Sequence, residues 1–340
     1  MNRKAWIDAV KGLCMITIMM SHSCGFPMAT KLIIGGFVSV FFFLSGYTCK
    51  SRGTLTESIK RKAKSLLIPY FFYGFLCVAL LTVKQGLSGG SISDCFIHGN
   101  LSILYSRYCT LRDWGGQNVF LLKEGLVPIW FLPCMFLAYI WAEIYFHCSR
   151  KIWIVFVYFF AAYACTFSPI LLPWSFDSSF VGAILIILGN ESRRYLMEGK
   201  DKEKLRSLIQ NGFFWLFSVI IFVLLVTFFG EGNFSLGDYG RYGVAGLVSF
   251  IAVGVVKSYN LGYIFKLIGE NSYFTRLFAY IGIQSLRLMC LHYTIFVLLG
   301  VTEHRTYLFS FAAMIITLLI SVCFGLIKER YSYKPVLRYL

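Results

Sequence analysis

Long apolar stretches separated by short polar ones repeat along the whole chain. They fall near residues 7–23, 32–49, 66–83, 128–147, 152–168, 176–190, 211–230, 242–257, 279–300 and 307–327. Most have the length an α-helix needs to cross a bilayer, about 20 residues at about 1.5 Å each. They are too long and too continuously apolar for the alternating strands of a barrel. In hydrocarbon only helices and closed barrels satisfy the backbone. The pattern therefore predicts an all-α, polytopic integral membrane protein, a bundle of about ten transmembrane helices.

The longest interruption, residues 84–127, has mixed character and several aromatics. It reads as a partly ordered outer loop or a re-entrant piece. No internal repeat or low-complexity tract stands out, so the chain reads as one membrane domain over 1–340 with no separate soluble domain. Composition agrees: 58% of residues are apolar and 14% charged, far from the balance of a soluble domain.

Charge sets the orientation. With a cytoplasmic amino terminus, 24 of the 32 Lys and Arg residues fall on the inner side and 7 on the outer, with Arg287 alone inside a span. This positive-inside bias suits an even number of spans and places both termini in the cytoplasm of a multi-pass cell-membrane protein. The net charge of +16 then follows from topology and an anionic inner leaflet, and nucleic-acid binding is not needed to explain it. Arg3 and Lys4 ahead of an apolar run resemble a signal peptide, but Lys11 interrupts the run and no small-residue cleavage site follows. An uncleaved first span is expected. The eleven Cys residues show no CxxC or Cys/His ligand spacing, so no metal site is expected. Cys95 and Cys109 share the outer loop, either as a disulfide or, as preferred here, as two free thiols.

The candidate chemistry lies in the first stretch. Lys11 and His22 are eleven positions apart. At about 100° per residue, eleven steps return to within about 20° of the starting direction, about 16 Å further along the axis. One helix stripe thus carries a cation near one membrane face and an imidazole nearer the other, with Asp8 and Met15 beside it. Ionisable groups at membrane depth are costly and mark functional routes.

Several motifs in order then build a resemblance. Trp6-Ile7-Asp8, Lys11-Gly12 and His22 are followed by Phe41-Phe42-Phe43-Leu44-Ser45-Gly46-Tyr47. A basic cluster leads into Leu66-Leu67-Ile68-Pro69-Tyr70. Pro128-Ile129-Trp130-Phe131-Leu132-Pro133 comes next, then Leu172-Pro173-Trp174-Ser175-Phe176-Asp177, and finally Gly282, Ser285 and His292. Together these resemble the acyltransferase-3 family of integral membrane acyltransferases, and within it the fucose 4-O-acetylase-like, sugar O-acetylating branch. The chain departs from the wider family in having Lys11 where Arg is common, a point charge in place of a bidentate fork, and Gly189-Asn190 in place of Gly-Tyr. Its cluster Lys60-Arg61-Lys62-x-Lys64 matches the family's arginines best at Arg61.

The resemblance implies acetyl transfer from acetyl-CoA to a hydroxyl of a cell-surface, exported or lipid-linked glycan. His22 is the implied catalytic base and Lys11 its cationic partner. Arg61 and Lys64 are the implied coenzyme A contacts, and Asp8, Trp130, Asp177, Ser285 and His292 the implied acceptor site. Plainer roles stand beside each. His22 is otherwise a packing histidine, Lys11 a snorkelling cation paired to Asp8, and the 60–64 cluster a topology determinant. His292 is either a helper or a structural hydrogen-bonder, and Asp177 either an acceptor ligand or a helix cap. Ser45-Gly46-Tyr47 reads as close helix packing. Arg287 is expected to reach a carboxylate or the aqueous edge. The main alternative function is a transporter or flippase using the same charges.

Overall fold

The computed structural model describes residues 4–23, 37–49, 53–112, 127–198, 202–230, 232–301, 303 and 306–330. Thirteen helices organise them: α1 (Ala5–Ser23), α2 (Phe37–Thr48), α3 (Leu55–Leu87), α4 (Ile92–Tyr105), α5 (Phe131–His147), α6 (Lys151–Cys165), α7 (Phe176–Glu198), α8 (Lys202–Ile209), α9 (Gly212–Phe229), α10 (Val244–Ile268), α11 (Tyr273–Ile283), α12 (Ser285–Leu298) and α13 (Tyr307–Arg330). Among the described residues the fold is all-helical, joined by single-turn 3-10 pieces at Val127–Trp130, Pro173–Ser175 and Phe234–Leu236.

A helix stands at each of the ten predicted apolar stretches. By length and apolarity, five helical segments among the described residues qualify to cross a membrane: Leu55–Leu87, Pro128–His147, Gly212–Phe229, Val244–Ile268 and Tyr307–Ile327. Counting the bent pair α11–α12 as one span makes six. The others are shorter or more polar. Helices α2 and α6 have 12 and 15 residues, and α1 carries Asp8 and Lys11. Residues 32–36 of the second stretch, 113–126 of the long loop and the cations Lys50, Arg52, Lys200, Lys334 and Arg338 lie outside the described residues.

Local chemistry sets several boundaries. Thr54 and Glu57 form a capping box on α3, each satisfying the other's backbone N–H at 3.3 and 3.0 Å, as orphan donors at a helix start require. Asn211 and Ser272 cap α9 and α11. The apolar faces of α9 and α13 remain largely uncovered by protein, as a lipid-facing helix should.

Helix α1 runs through the packed interior, against α2, α10, α11 and α12. Its tightest crossing is at Gly12, where a Cβ would meet the Phe278 carbonyl of α11; a Cβ on Gly282 would meet the Asp8 carbonyl in return. Gly46 and Gly189 allow the same close approach between α2 and α7. Small residues at both crossings let backbones touch, so Gly46 of the Ser45-Gly46-Tyr47 motif serves packing.

Two predicted elements need correction, and the ordered part of a third is now defined. Part of the 84–127 loop is α4, folded back antiparallel on α3 with Gly99 against Val78 and Ile103 against Gly74. The 279–300 span is not one rod, because α11 and α12 meet at Gln284 with a bend of 72°. The 242–257 span continues as α10 to Ile268, so Lys257 lies within a helix rather than at its inner boundary. It is buried, with its ammonium 3.7 Å from the Phe37 ring centroid.

Candidate active site

The bundle has two chemically different ends. At one, Lys62 lies over the Tyr139 ring at 3.5 Å. Arg61, Lys62 and Arg193 all act electrostatically on Cys49, Arg193 and Arg206 act on Tyr47, and Lys266 stands 5.0 Å from the Trp6 ring. This basic end encloses a cavity of about 530 Å³ walled by Trp6, Tyr47, Tyr259, Tyr263 and Lys266. Arg61 and Lys64 are exposed there on α3. Arg61 donates to Ser58 at 3.2 Å.

His22 lies at the other end, near the close of α1. Its ring centroid is 5.4 Å from that of His292 and 5.4 Å from that of Tyr293, which it meets edge to face. A second cavity, of about 350 Å³, opens on His22 and is shared by Ser39 of α2, Tyr108 after α4, Trp130 and Phe131 at the start of α5, and Asn233 and Ser235. Aromatic faces and a few placed polar groups are the usual make-up of a small-molecule site. Phe234 stacks on Trp130 at 5.9 Å and on Phe42 at 5.0 Å, which fixes the aromatic wall. Burial raises the Tyr108 hydroxyl above its ordinary pKa, with neighbouring Cys109 reinforcing the shift. At neutral pH it therefore stays protonated and can donate.

The wall itself is held by a buried ion pair that the sequence reading lacked. Arg107 pairs with Asp177 and also donates to the Ser235 carbonyl and, at 3.0 Å, to the Leu172 carbonyl. Arg112 lies 3.8 Å from the other Asp177 oxygen, and the Ser178 amide donates to Asp177 at 2.8 Å. Trp174 and Ser175 take left-handed φ of 56° and 54° in the turn that delivers Asp177. The Trp174 indole anchors that turn on the Leu104 carbonyl at 2.9 Å. Asp177 is thus placed behind the cavity wall, joining three chain segments.

The other predicted residues are distributed as follows. Trp130 and His22 share the second cavity. His292 is fully buried beside His22. Lys11, three turns below His22, lines neither cavity. Asp8 is buried against α11. Ser285 sits at the α11–α12 bend, seven residues or about 10.5 Å along α12 from His292. Arg287, expected to reach a carboxylate or the aqueous edge, is half-buried and donates to the Gln284 side-chain oxygen at 3.3 Å. Cys95 and Cys109 are both free thiols, near opposite ends of α4.

Sequence reading missed Lys257, Tyr108, Asn233, Ser235 and Arg107. Lys257 did carry a signal, a lone cation within a long apolar run. The others depend on contacts between distant segments.

Neither a characterised protein nor a solved structure matches the chain. The profile of the acyltransferase-domain family matches residues 4–329. That match takes in both cavities and every helix that lines them: the chain belongs to the acyltransferase-3 family, whose members are membrane acyltransferases.

Proposed function

We propose that this acyltransferase moves a short acyl group, acetyl, from acetyl-CoA to a hydroxyl of a cell-surface or exported carbohydrate, in the manner of the fucose 4-O-acetylase-like branch. The reading has ten spans and both termini in the cytoplasm. The observation that carries it is His22 facing a cavity walled by Trp130, Tyr108, Asn233 and Ser235, a lining suited to a polyol with apolar faces.

In this reading the acceptor hydroxyl lies in the second cavity and gives its proton to a His22 nitrogen as its oxygen attacks the thioester carbon. The C–O bond forms, the C–S bond breaks, and the imidazolium returns its proton to the departing thiolate. Lys11 of α1 and the buried Lys257 of α10, which acts electrostatically on Cys14 of α1, supply longer-range positive charge toward the developing oxyanion. The coenzyme's phosphates stay at the basic end, on Arg61 and Lys64, because they cannot enter hydrocarbon.

The test is mass spectrometry of surface glycans from cells with the protein, without it, and with His22→Ala at equal abundance. Loss of one acetyl mass in the last two supports the reading, and equal acetylation by the variant removes it. One feature favours a second reading as transporter or flippase, the broken α11–α12 pair, since interrupted helices mark transport sites. Solute export without acyl-CoA would be its signature.

A further inference from the structure

His292 has no exposure to solvent. Its Nδ1 lies 2.7 Å from the Leu288 carbonyl, one turn earlier on α12. A carbonyl oxygen only accepts, so that bond assigns the proton to Nδ1 and leaves Nε2 with a lone pair. Nε2 is buried and has no hydrogen-bond partner among the described residues. Leaving a buried acceptor unsatisfied is costly, and such atoms in folded proteins call for an explanation.

The rings that surround His292 narrow the choice. Phe296 stands edge-on at 5.8 Å and offers no N–H or O–H. His22 is the other, at 5.4 Å between centroids and tilted by 44°. At that separation, ring nitrogens turned toward each other come to about 3.1 Å, the long end of the range for an N–H···N bond, and the imidazole's terminal torsion is soft enough to align them. Among the described residues, the titratable groups around His22 are His292 and Tyr293 from α12 and Tyr108 from the segment after α4.

We propose that His292 is a positioning residue for His22: its Nε2 accepts the His22 N–H and so fixes one tautomer, with the other His22 nitrogen bare and facing the acceptor cavity. The inference rests on the reading of His22 as the proton acceptor. During transfer the acceptor O–H breaks and a new N–H forms on the bare nitrogen. The N–H shared with His292 stays where it is, and no proton passes to His292. The pair does with two imidazoles what a carboxylate and an imidazole do in hydrolytic triads, where the second group holds the tautomer of the first.

The test is nuclear magnetic resonance of the full chain in lipid nanodiscs with ¹⁵N-labelled histidine, His22→Ala serving to assign the His22 signals. The parent should show one His22 tautomer. His292→Asn keeps a donor toward Leu288 but places nothing at the Nε2 position, and should give a mixture of both tautomers. His292→Gln puts an amide oxygen near that position and should restore the single form. A parent that already shows both forms overturns the proposal, as does one unchanged His22 tautomer in His292→Asn. If the Asn variant does not fold, His292→Phe, which fills the space but offers no acceptor, takes its place: it should give both tautomers, and one unchanged tautomer overturns the proposal. The readout needs no acceptor or acyl donor, so failure of glycan acetylation in cells would count against the acyl-transfer reading and leave this result standing.

Discussion

The two ends of the bundle treat charge in opposite ways. At the basic end, Arg61 and Lys64 are exposed, and Lys266 and Arg206 stand beside a roomy aromatic cavity. At the other end, Arg107, Arg112 and Asp177 are drawn into one cluster behind a wall, and the titratable groups lining the smaller cavity are His22 and Tyr108. In the proposed mechanism the first end would meet an anionic donor from water. The second would keep fixed charge away from the proton-accepting imidazole, so that no neighbouring carboxylate holds it protonated.

The largest effect expected from disturbing this contrast is at His22. His22→Ala should lower acyl transfer by about 10²–10⁴-fold, the usual contribution of a positioned base, with unchanged elution on size exclusion. Because the base must be neutral, transfer by the parent should fall as pH drops through the His22 titration and recover on return to neutral, as initial rates across pH would show.

Next comes the buried pair. Arg107→Gln leaves the Asp177 carboxylate without its principal partner, and such losses run to about 3–5 kcal/mol. A lower thermal midpoint should appear, together with weaker acceptor use, since Ser235 loses its anchor. Pairing Arg107→Met with Asp177→Leu should recover part of the midpoint. A full loss in the double variant would mean that Arg107's two carbonyl bonds, rather than the ion pair, hold the wall.

Gly282→Ala should follow, at about 1–3 kcal/mol for overpacking, because its new methyl meets the Asp8 carbonyl. The same change at Gly89 or Gly269 meets nothing within 4 Å, but their φ of 77° and 93° strain any side chain, so both are poor controls. Gly212, with a single neighbour at 3.7 Å, is the better one, and thermal unfolding of the two variants side by side makes the comparison.

The smallest effect belongs to the basic end. Arg61→Gln and Lys64→Gln should raise KM for acetyl-CoA a few-fold with kcat retained, in the range of about 0.2–1 kcal/mol typical of exposed charge pairs. Added salt should shrink the difference. A fall in kcat with constant KM would place these cations at the reacting centre instead.

Much of this was legible from periodicity alone. Every apolar stretch coincides with a helix, and the eleven-residue spacing brings His22 to a cavity while leaving Lys11 three turns below. The failures share a cause. Whether a run is straight or broken at Gln284, whether α4 folds back on α3, and whether Asp177 meets an arginine are all decided by residues far away in sequence. The Gly12–Gly282 crossing is of the same kind: each glycine is unremarkable alone, and only the facing backbone shows why neither has a side chain. Lys257 was assigned to a boundary because hydropathy marks where an apolar run weakens, not where hydrogen bonding stops.

The glycine crossing also makes α1 a lever. Gly12 is the fulcrum and His22 the tip, ten residues or about 15 Å away. A slight change in tilt at the fulcrum becomes a larger sweep of the imidazole across the mouth of its chamber. Substitutions on α11 that touch neither acceptor nor histidine therefore have a route to changing which hydroxyl is in reach.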